Sequence, residues 1–504
     1  MALNLFASVA FFVLQFGINF FLTPFILGSI GSEAYGFLIL IGSLISYSYI
    51  LTALSNAMAG HFIASNYHKN DILSASSFYT SALIANIFFS FLIALFGIFF
   101  IIYLVNFIHI SPWLVLDVKI CFILYALNVI LGLYNGILGI HAFSKNKMYL
   151  LSFRQAFSSL ISACFMLMLY YFYTPLISYA PLSALFASIL ILFSSLLLAK
   201  KLNTKIKFQF NLFCFDKLKI LCKAGAFSSL TLLAQSILNS VELLFCNIFL
   251  NAASMGLGAV LKTVVIFIVS FIGAVAHSYM ARFIELYSKN NIKALLAELA
   301  FSSKILCFIC AVPIAVFMVF CKDFYTLWLP FNKSEVLLIS NLTLISLIPA
   351  SLLACMQLLI NLSPALNKQK NSSLAMVILS LITAIALFVA LKFFNAGLME
   401  MFIISALFYS LKIIVFDIFN AAVILGVKIS SFVYLFLRNF GVFALILTIL
   451  ALLKTQILNI NSWLSLIFFC ALFLLFAYLM AYFLLFNSYE KTLFKNKIKG
   501  HVRL

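Results

Sequence analysis

The side chains in this sequence that could do chemistry are a few charged residues inside long apolar segments. Glu242 and Lys262 lie on either side of a short break near residues 251–254. Each is about ten residues from that break, which is roughly 14 Å along an α-helix. Because a charge in the middle of a bilayer costs at least about 2.5–3.5 kcal/mol, such residues need a partner or a function. Two interpretations stay open: a structural ion pair, or a cation that binds an anionic group beside an acid that exchanges H⁺ or Na⁺.

A second pair of charges, Lys412 and Asp417, lies within one apolar segment. Lys412 is near the middle of this segment, where its side chain cannot easily reach either surface, so we expect it to face a cavity. Five residues correspond to roughly 140° around an α-helix, so the spacing predicts that these two charges do not pair on one face. Asp417 is then either a hydrogen-bonded acid near the inner interface or an acid that couples ion movement to transport.

Four further charged or titratable residues lie near segment ends. Arg154 and Arg438 are within about two helical turns of the predicted cytoplasmic surface, where snorkelling of the long side chain accounts for each. Arg154 could instead line the inner mouth of a cavity. His61 and Arg282 lie at the ends of their segments, where they are either interfacial residues or gate residues.

The composition shows what kind of elements must position these residues. Of 504 residues, 66% are hydrophobic and 9% are charged, whereas soluble domains are about 45–50% apolar and about 25% charged. This excludes a water-soluble fold. Apolar runs of about 20 residues predict membrane-spanning helices. We place fourteen of them, at roughly 3–27, 35–64, 77–107, 119–142, 149–173, 182–199, 224–250, 255–279, 301–320, 336–360, 373–392, 401–423, 433–453 and 462–486.

The distribution of basic residues predicts the orientation of these helices. Lys and Arg are enriched in cytoplasmic loops. With the N-terminus in the cytoplasm, 24 of the 31 basic residues fall on the cytoplasmic side and five on the outer side. Both termini are therefore expected in the cytoplasm. The formal net charge of +19 follows from membrane topology, and we expect no nucleic-acid partner.

The loops carry few features of an enzyme. The longest outer loop, 321–335, and the longest inner loop, 200–223, are too short to bury a core of their own. The chain contains no G-x-x-x-x-G-K phosphate-binding sequence, which disfavours an ATP-driven pump. The ten cysteines show no metal-binding spacing. We therefore predict a protein that is not an enzyme and has no metal site and no cofactor.

Internal repeats indicate how the spans are organised. Three short stretches recur in the same order at an offset of about 220 residues, which covers six predicted spans and so preserves their orientation. The pairs are 61–72 with 282–292, 142–147 with 365–370, and Gln15 and Asn19 with Gln235 and Asn239. We predict an all-α polytopic membrane protein with two parallel-repeat six-helix lobes and two extra C-terminal helices. Its predicted parts are an N-terminal lobe (1–200), a basic cytoplasmic linker (201–223), a C-terminal lobe (224–425), helices 13 and 14 (426–486) and a basic cytoplasmic tail (487–504).

This plan resembles the multidrug, oligosaccharidyl-lipid and polysaccharide exporter superfamily. Segment 23–36, TPFILGSIGSEAYG, is similar to the proline, small-residue turn and acidic-x-Tyr-Gly sequence that open span two in the polysaccharide and O-antigen flippases of that superfamily. Spans one and two carry no Lys or Arg, unlike flippases for the peptidoglycan precursor. Spans one and ten carry no acid, so Glu242 alone matches the multidrug exporter pattern.

The resemblance implies a secondary-active flippase in the bacterial cytoplasmic membrane. Its substrate would be an undecaprenyl-diphosphate-linked oligosaccharide, moved from the inner to the outer leaflet by alternating access and driven by H⁺ or Na⁺. Other partners would be membrane lipids and a polysaccharide polymerase or glycosyltransferases. The implied roles are substrate binding by Lys262, Lys412 and Arg154, ion coupling by Glu242 and Asp417, and gating by His61 and Arg282.

Two alternatives stay open. The first is an H⁺- or Na⁺-coupled multidrug exporter of the same superfamily, and the second is a non-transporting membrane scaffold of a glycan-assembly complex. A glycan polymerase or ligase is less favoured, because such an enzyme would be expected to carry a large outer loop with catalytic Arg or His.

Overall fold

A computed structural model describes residues 2–56, 58–145, 147–202, 205–456, 460–488 and 490–491. Most of the predicted C-terminal tail, including Lys495, Lys497, Lys499 and Arg503, lies outside the described residues.

The chain is a multi-pass, all-α membrane protein. Within the described residues, thirteen helical runs are long and apolar enough to cross a membrane. The first run, Ala10–His68, has 59 residues, or roughly 90 Å of helix, against a hydrocarbon core of about 30 Å. It is broken at Gly31, whose φ of 83° is left-handed. It therefore has the length of two spans, which agrees with the fourteen predicted.

The contacts within the chain divide it into two compact units, Met1–Val260 and Leu261–Leu504. The helices of the first unit are α1 (Ala2–Ile45), α2 (Tyr49–Asn56), α3 (Ala59–His68), α4 (Ile72–Phe107), α5 (Val115–Leu138), α6 (Ile140–Ser144), α7 (Tyr149–Phe172), α8 (Tyr179–Leu202) and α9 (Phe215–Phe245). The next helix, α10 (Ala252–His277), contains the boundary. The predicted lobe limits at 200 and 224 stay a prediction.

The second unit continues with a further series of helices. They are α11 (Met280–Ser288), α12 (Ile292–Leu306), α13 (Val312–Trp328), α14 (Lys333–Ile360), α15 (Leu362–Ala365), α16 (Lys370–Phe393), α17 (Leu398–Leu411), α18 (Ile418–Leu425), α19 (Ile429–Lys454) and α20 (Trp463–Leu485). Three π-helical turns, Cys246–Leu250, Cys307–Ala311 and Lys412–Asp417, continue α9, α12 and α17. A π turn bonds each N–H to the carbonyl five residues earlier, so it changes which side chains share a face.

The first pair of repeated sequences folds into the same turn in both units. After α3, Asn70 has φ 61°, and after α11, Asn290 has φ 52°. The next residue caps the following helix in each case: Asp71 accepts from Ser74 N at 2.9 Å, and Asn291 accepts from Ala294 N at 3.0 Å. The offset is 220 residues, which is the repeat spacing predicted here.

The second pair is in a different register from the one predicted. In the turn after α6, Lys147 N donates to Ala142 O at 2.8 Å, and after α15, Lys368 N donates to Ser363 O at 2.9 Å. These matching bonds are 221 residues apart, whereas the sequence match aligned Ala142 with Ala365. The alignment by sequence was wrong by two residues, because Lys recurs at alternate positions in both turns and so matches in either register.

Hydrogen bonds hold the basic linker against α4. Ser77 Oγ donates to Leu212 O at 2.7 Å, and Gln209 N donates to Thr80 Oγ1 at 3.2 Å. Beyond it, α9 begins at Phe215, nine residues before the predicted start of span seven. Basic residues that were placed in the linker therefore lie on a helix.

Three residues of the segment that carried the family resemblance have a structural role. Gly31 supplies the positive φ between two spans. Glu33 accepts a hydrogen bond from Ser111 Oγ at 2.5 Å. At Gly36, a Cβ atom would lie 3.0 Å from Gly256 N, so only glycine allows this approach of α1 to α10.

Candidate functional site: a polar cavity in the first unit

The first unit contains a cavity of about 580 Å³ between α3, α5, α7 and α8. Two residues singled out from the sequence, His61 and Arg154, both line it. Asn56, Asn135 and Gln155 add amide groups. None of its lining residues, all of which lie in the described part of the chain, is acidic. The structure thus brings together His61 and Arg154, which the sequence treated separately.

One face of α5 makes room for this cavity. Gly132, Gly136 and Gly139 line it and recur at the spacing of one helical face. A Cβ at Gly132 would meet nothing within 4 Å, whereas a Cβ at Gly136 would lie 3.1 Å from Asn56 Nδ2. A side chain at Gly132 would therefore project into the cavity, and one at Gly136 would displace the Asn56 amide.

The Arg154 guanidinium is held by neutral oxygen atoms of α8. Its Nε donates to Ser194 Oγ at 2.9 Å, and its Nη2 donates to Ile191 O at 2.9 Å and to Ser195 Oγ. The third nitrogen, Nη1, is buried and has no hydrogen-bond partner. Snorkelling therefore does not describe Arg154: the side chain is fixed at the cavity wall, and it forms no ion pair with a carboxylate among the residues that the structure describes.

A network of amides, of which Asn86 is fully buried, also supports the cavity wall. Asn86 Nδ2 donates to Asn56 Oδ1 at 3.2 Å and to Leu133 O at 3.2 Å, and Ser55 Oγ donates to Asn86 Oδ1 at 2.7 Å. Asn135 donates to Ser188 O at 3.3 Å, but its Oδ1 is buried without a partner. Because buried polar atoms are nearly always bonded, Asn135 Oδ1 is a candidate acceptor for a bound solute.

The two predicted gate residues differ in their surroundings. His61, on α3, lines the cavity. Its repeat mate Arg282, on α11, is 48% exposed and bonds Glu285 at 2.8 Å, while Lys289 bonds the same carboxylate at 2.6 Å. Hydrogen bonds from Lys289 and Arg282 hold the pKa of Glu285 below its usual value. Gating by either residue stays a prediction.

Lys412 and Asp417 form an ion pair, contrary to the prediction. Lys412 Nζ lies 2.8 Å from Asp417 Oδ2, and their side chains are 9% and 3% exposed. The prediction assumed the α-helical 100° per residue, but residues 412–417 form a π turn. In such a turn residues five apart lie on one face. Lys412 is therefore not an uncompensated cation.

Glu242 and Lys262 lie on opposite sides of the unit boundary. Glu242 is half-buried on α9, in the first unit, and Lys262 is buried on α10, in the second. Their predicted pairing stays a prediction.

A further charged group was missed from the sequence. Lys304 falls at the cytoplasmic end of the predicted span 301–320; in the structure it lies in α12 with 2% of its side chain exposed, and both oxygens of Glu490 lie 2.5 Å from its Nζ. Arg438, on α19, has two buried nitrogens, Nε and Nη2, without a hydrogen-bond partner. The available signal was the charge of Lys304 itself, at the fourth residue of the predicted span 301–320.

No three His, Cys, Asp or Glu side chains in the described part of the chain lie close enough together to bind a metal ion.

Comparison with known proteins supports the fold described above. No protein-family model matches the chain. It is 26% identical over 330 residues to the uncharacterized membrane protein EpsK of Bacillus subtilis (strain 168); the match covers 65% of each protein, just under two thirds of that relative.

Two of the solved structures that match the chain are a transporter and a flippase. An inward-facing multidrug resistance MATE family transporter of the MOP superfamily matches with a TM-score of 0.67 and 13% identity, over 82% of this chain and 94% of that one. The lipid II flippase MurJ, in its inward closed conformation, matches with a TM-score of 0.66 and 15% identity, over 95% and 98%. The chain has the all-α polytopic fold of these proteins, so the predicted resemblance is confirmed at the level of the fold.

Proposed function

We propose that this protein is a secondary-active flippase of the MOP type that moves an undecaprenyl-diphosphate-linked oligosaccharide from the inner to the outer leaflet. The observation that carries the proposal is the cavity of the first unit, which combines an Arg154 charge held only by neutral oxygens with amide groups and no acid. A cationic drug would be repelled by this wall, whereas an anionic solute rich in hydroxyl groups would find both a positive charge and hydrogen-bond partners.

The cavity residues offer a bound solute both a positive charge and hydrogen-bond partners. Arg154 keeps its donors on α8, so its charge stays fixed while Nη1 is the donor left for a phosphate or sugar acid. Asn135 Oδ1 accepts from a sugar hydroxyl, and the glycine face of α5 leaves space for the sugar rings. The volume of about 580 Å³ lies within the range of about 300–1,000 Å³ typical of small-molecule sites.

Alternating access would require two close backbone contacts to open in turn. A Cβ at Gly225 on α9 would lie 2.7 Å from Ala53 O on α2, and a Cβ at Gly256 on α10 would lie 2.3 Å from Ser32 O on α1. The first contact is near the predicted inner ends of the helices and the second near their outer ends. In the proposed cycle only one of them is closed when the cavity is open to a given side.

The remaining predicted roles are part of this proposal. Glu242 is the proposed coupling acid for H⁺ or Na⁺, and Lys262 is a proposed contact for the substrate diphosphate. Lys412 and Asp417 act as one paired unit, so ion coupling at Asp417 would require its bond to Lys412 to break. Both termini would lie in the cytoplasm, where a polymerase or glycosyltransferases of glycan assembly could bind.

A flipping assay tests the proposal. The purified protein is placed in vesicles with a fluorescent lipid-linked oligosaccharide, and the label in the outer leaflet is followed by quenching. We expect Arg154→Gln to slow flipping by roughly tenfold or more, because a charge-assisted contact of about 1.5–3 kcal/mol is lost. The control, Lys289→Gln, removes an exposed cation that has no proposed role and should leave the rate unchanged. Efflux of a cationic dye without movement of the glycan lipid would overturn the proposal in favour of a drug exporter.

A further inference from the structure

The second unit contains a buried cation, Lys304, and a half-buried one, Arg438, close to a single carboxylate. Lys304 Nζ is bound by both oxygens of Glu490 at 2.5 Å, with 2% of the lysine side chain exposed. Arg438 interacts electrostatically with both residues. One carboxylate is therefore close to two positive charges, and both of its oxygens accept a hydrogen bond from Lys304.

Arg438 has the free donors that an oxyanion would need. Its Nε and Nη2 atoms are both buried and without a hydrogen-bond partner, and the guanidinium carbon lies 6.0 Å from the centre of the Tyr434 ring. Nε and Nη2 lie on the same edge of a guanidinium group. This edge donates two parallel hydrogen bonds to a carboxylate or a phosphate.

The surroundings of the two cations indicate what the oxyanion is attached to. Arg438 is half-buried on α19, next to Leu437, whose apolar side chain is 60% exposed. Both cations lie in helical runs that can span a membrane. A ligand that reaches the Arg438 edge therefore has an apolar part as well as a phosphate.

We infer that Arg438 and Lys304 form a binding site for the phosphate group of a membrane lipid, with Glu490 as a built-in carboxylate that competes for Lys304. The phosphate accepts two hydrogen bonds from Nε and Nη2 of Arg438 and supplies the negative charge that the site lacks. The inference does not depend on the proposed transport function, because the site lies in the second unit and the proposed substrate cavity in the first.

Lipid binding to the purified, delipidated full-length protein tests this site. Native mass spectrometry measures bound phosphatidylglycerol, with diacylglycerol of the same chains as the probe that lacks phosphate. We expect the protein to retain phosphatidylglycerol and not diacylglycerol. Arg438→Gln should weaken phosphatidylglycerol binding by about tenfold, as expected for loss of a bidentate charge-assisted contact.

Two further variants keep the test sharp. Glu490→Gln removes the competing carboxylate and should strengthen lipid binding. Lys454→Gln is the matched control, because Lys454 pairs with Asp323 at 2.9 Å elsewhere in the same unit, and it should bind lipid like the unmodified protein. Equal lipid binding by the Arg438 and Lys454 variants would overturn the inference.

The source of the phosphate is resolved by two additional probes. Preference for undecaprenyl phosphate over phosphatidylglycerol would assign the site to a glycan carrier lipid, and equal binding would assign it to bulk anionic lipid. Both results support the inference. Inorganic phosphate that binds in place of either lipid, with no lipid retained, would overturn it.

Discussion

The two units hold their buried cations in different ways. In the first unit, Arg154 is bound by two serine hydroxyls and a backbone carbonyl of α8, which are all neutral. In the second unit, Lys304 and Lys412 are each bound by a carboxylate, at 2.5 and 2.8 Å. Neutral partners fix a cation without cancelling its charge, whereas a carboxylate fixes it and cancels the charge. The first arrangement suits binding of an anion, and the second suits a structural contact.

Arg438 is the exception within the second unit. It is half-buried, whereas Lys304 and Lys412 are largely buried, and its buried Nε and Nη2 atoms have no hydrogen-bond partner. Buried donors without a hydrogen-bond partner are costly, so the inferred lipid phosphate, rather than a contribution to stability, accounts for this arrangement. Among Arg154, Lys304, Lys412 and Arg438, the comparison therefore separates three arrangements: one cation held by neutral groups, two paired with acids, and one with a free donor edge.

The largest expected effect is on the Lys412–Asp417 pair. Replacing either residue alone, as in Lys412→Met or Asp417→Leu, leaves a buried charge unpaired and should lower the free energy of unfolding by about 3–5 kcal/mol. The double variant should recover most of this loss. Unfolding in detergent measures all three. If the two single losses simply added in the double variant, the pair would not be coupled and the π-turn geometry would be contradicted.

A smaller loss is expected at Arg154. Arg154→Ala removes the donor from Ser194, Ser195 and the Ile191 carbonyl, and should lower the free energy of unfolding by about 2–3 kcal/mol. Arg154→Lys keeps the charge but not the fork of donors, so it should restore only part of the stability. Gln155→Ala, at the adjacent exposed cavity residue, is the control and should change stability by about 0.5 kcal/mol or less. Full stability in Arg154→Ala would mean that α8 does not hold the guanidinium.

At Arg438 the sign of the effect should reverse. In lipid-free detergent, Arg438→Gln removes two buried donors without partners, each of which costs about 1–3 kcal/mol when unsatisfied. We expect the free energy of unfolding to rise by about 1–2 kcal/mol, measured by unfolding in detergent. A loss of stability similar to that of Arg154→Ala would contradict the distinction between the two arginines.

The fold was predictable because a bilayer restricts it severely. Apolar runs of sufficient length must be helices, since the membrane offers no water to the backbone. The first repeat pair was also predictable, because Asn70 with Asp71 and Asn290 with Asn291 combine a left-handed residue with a helix cap. Such a turn depends on two local residues, which a single sequence displays directly.

The arrangement of the charged residues was predictable only in part. His61 and Arg154 were identified individually, but their common cavity depends on the packing of α3, α5, α7 and α8. The Lys412–Asp417 pair was excluded because the sequence contains no clear signal of a π turn, which needs only one extra residue in a helical turn. The burial of Lys304 depends on Glu490, 186 residues later, and no local pattern predicts such a contact.

The smallest expected effect concerns Glu285, at the exposed position that corresponds to Ser65 in the first unit. Its lowered pKa means that the contacts with Arg282 and Lys289 stabilise the charged form. Their contribution is complete above the ordinary pKa of a glutamate and is lost only as the pH falls through the lowered value. Because solvent screens exposed pairs, Glu285→Ser should shift the thermal midpoint by about 1 °C or less. The shift should be the same at every pH between about 6 and 8, where the carboxylate stays charged. A shift that grew across this range would indicate that Glu285 titrates near neutrality. The carboxylate would then not be held in its charged form by Arg282 and Lys289, and the turn would not contain a structural ion pair.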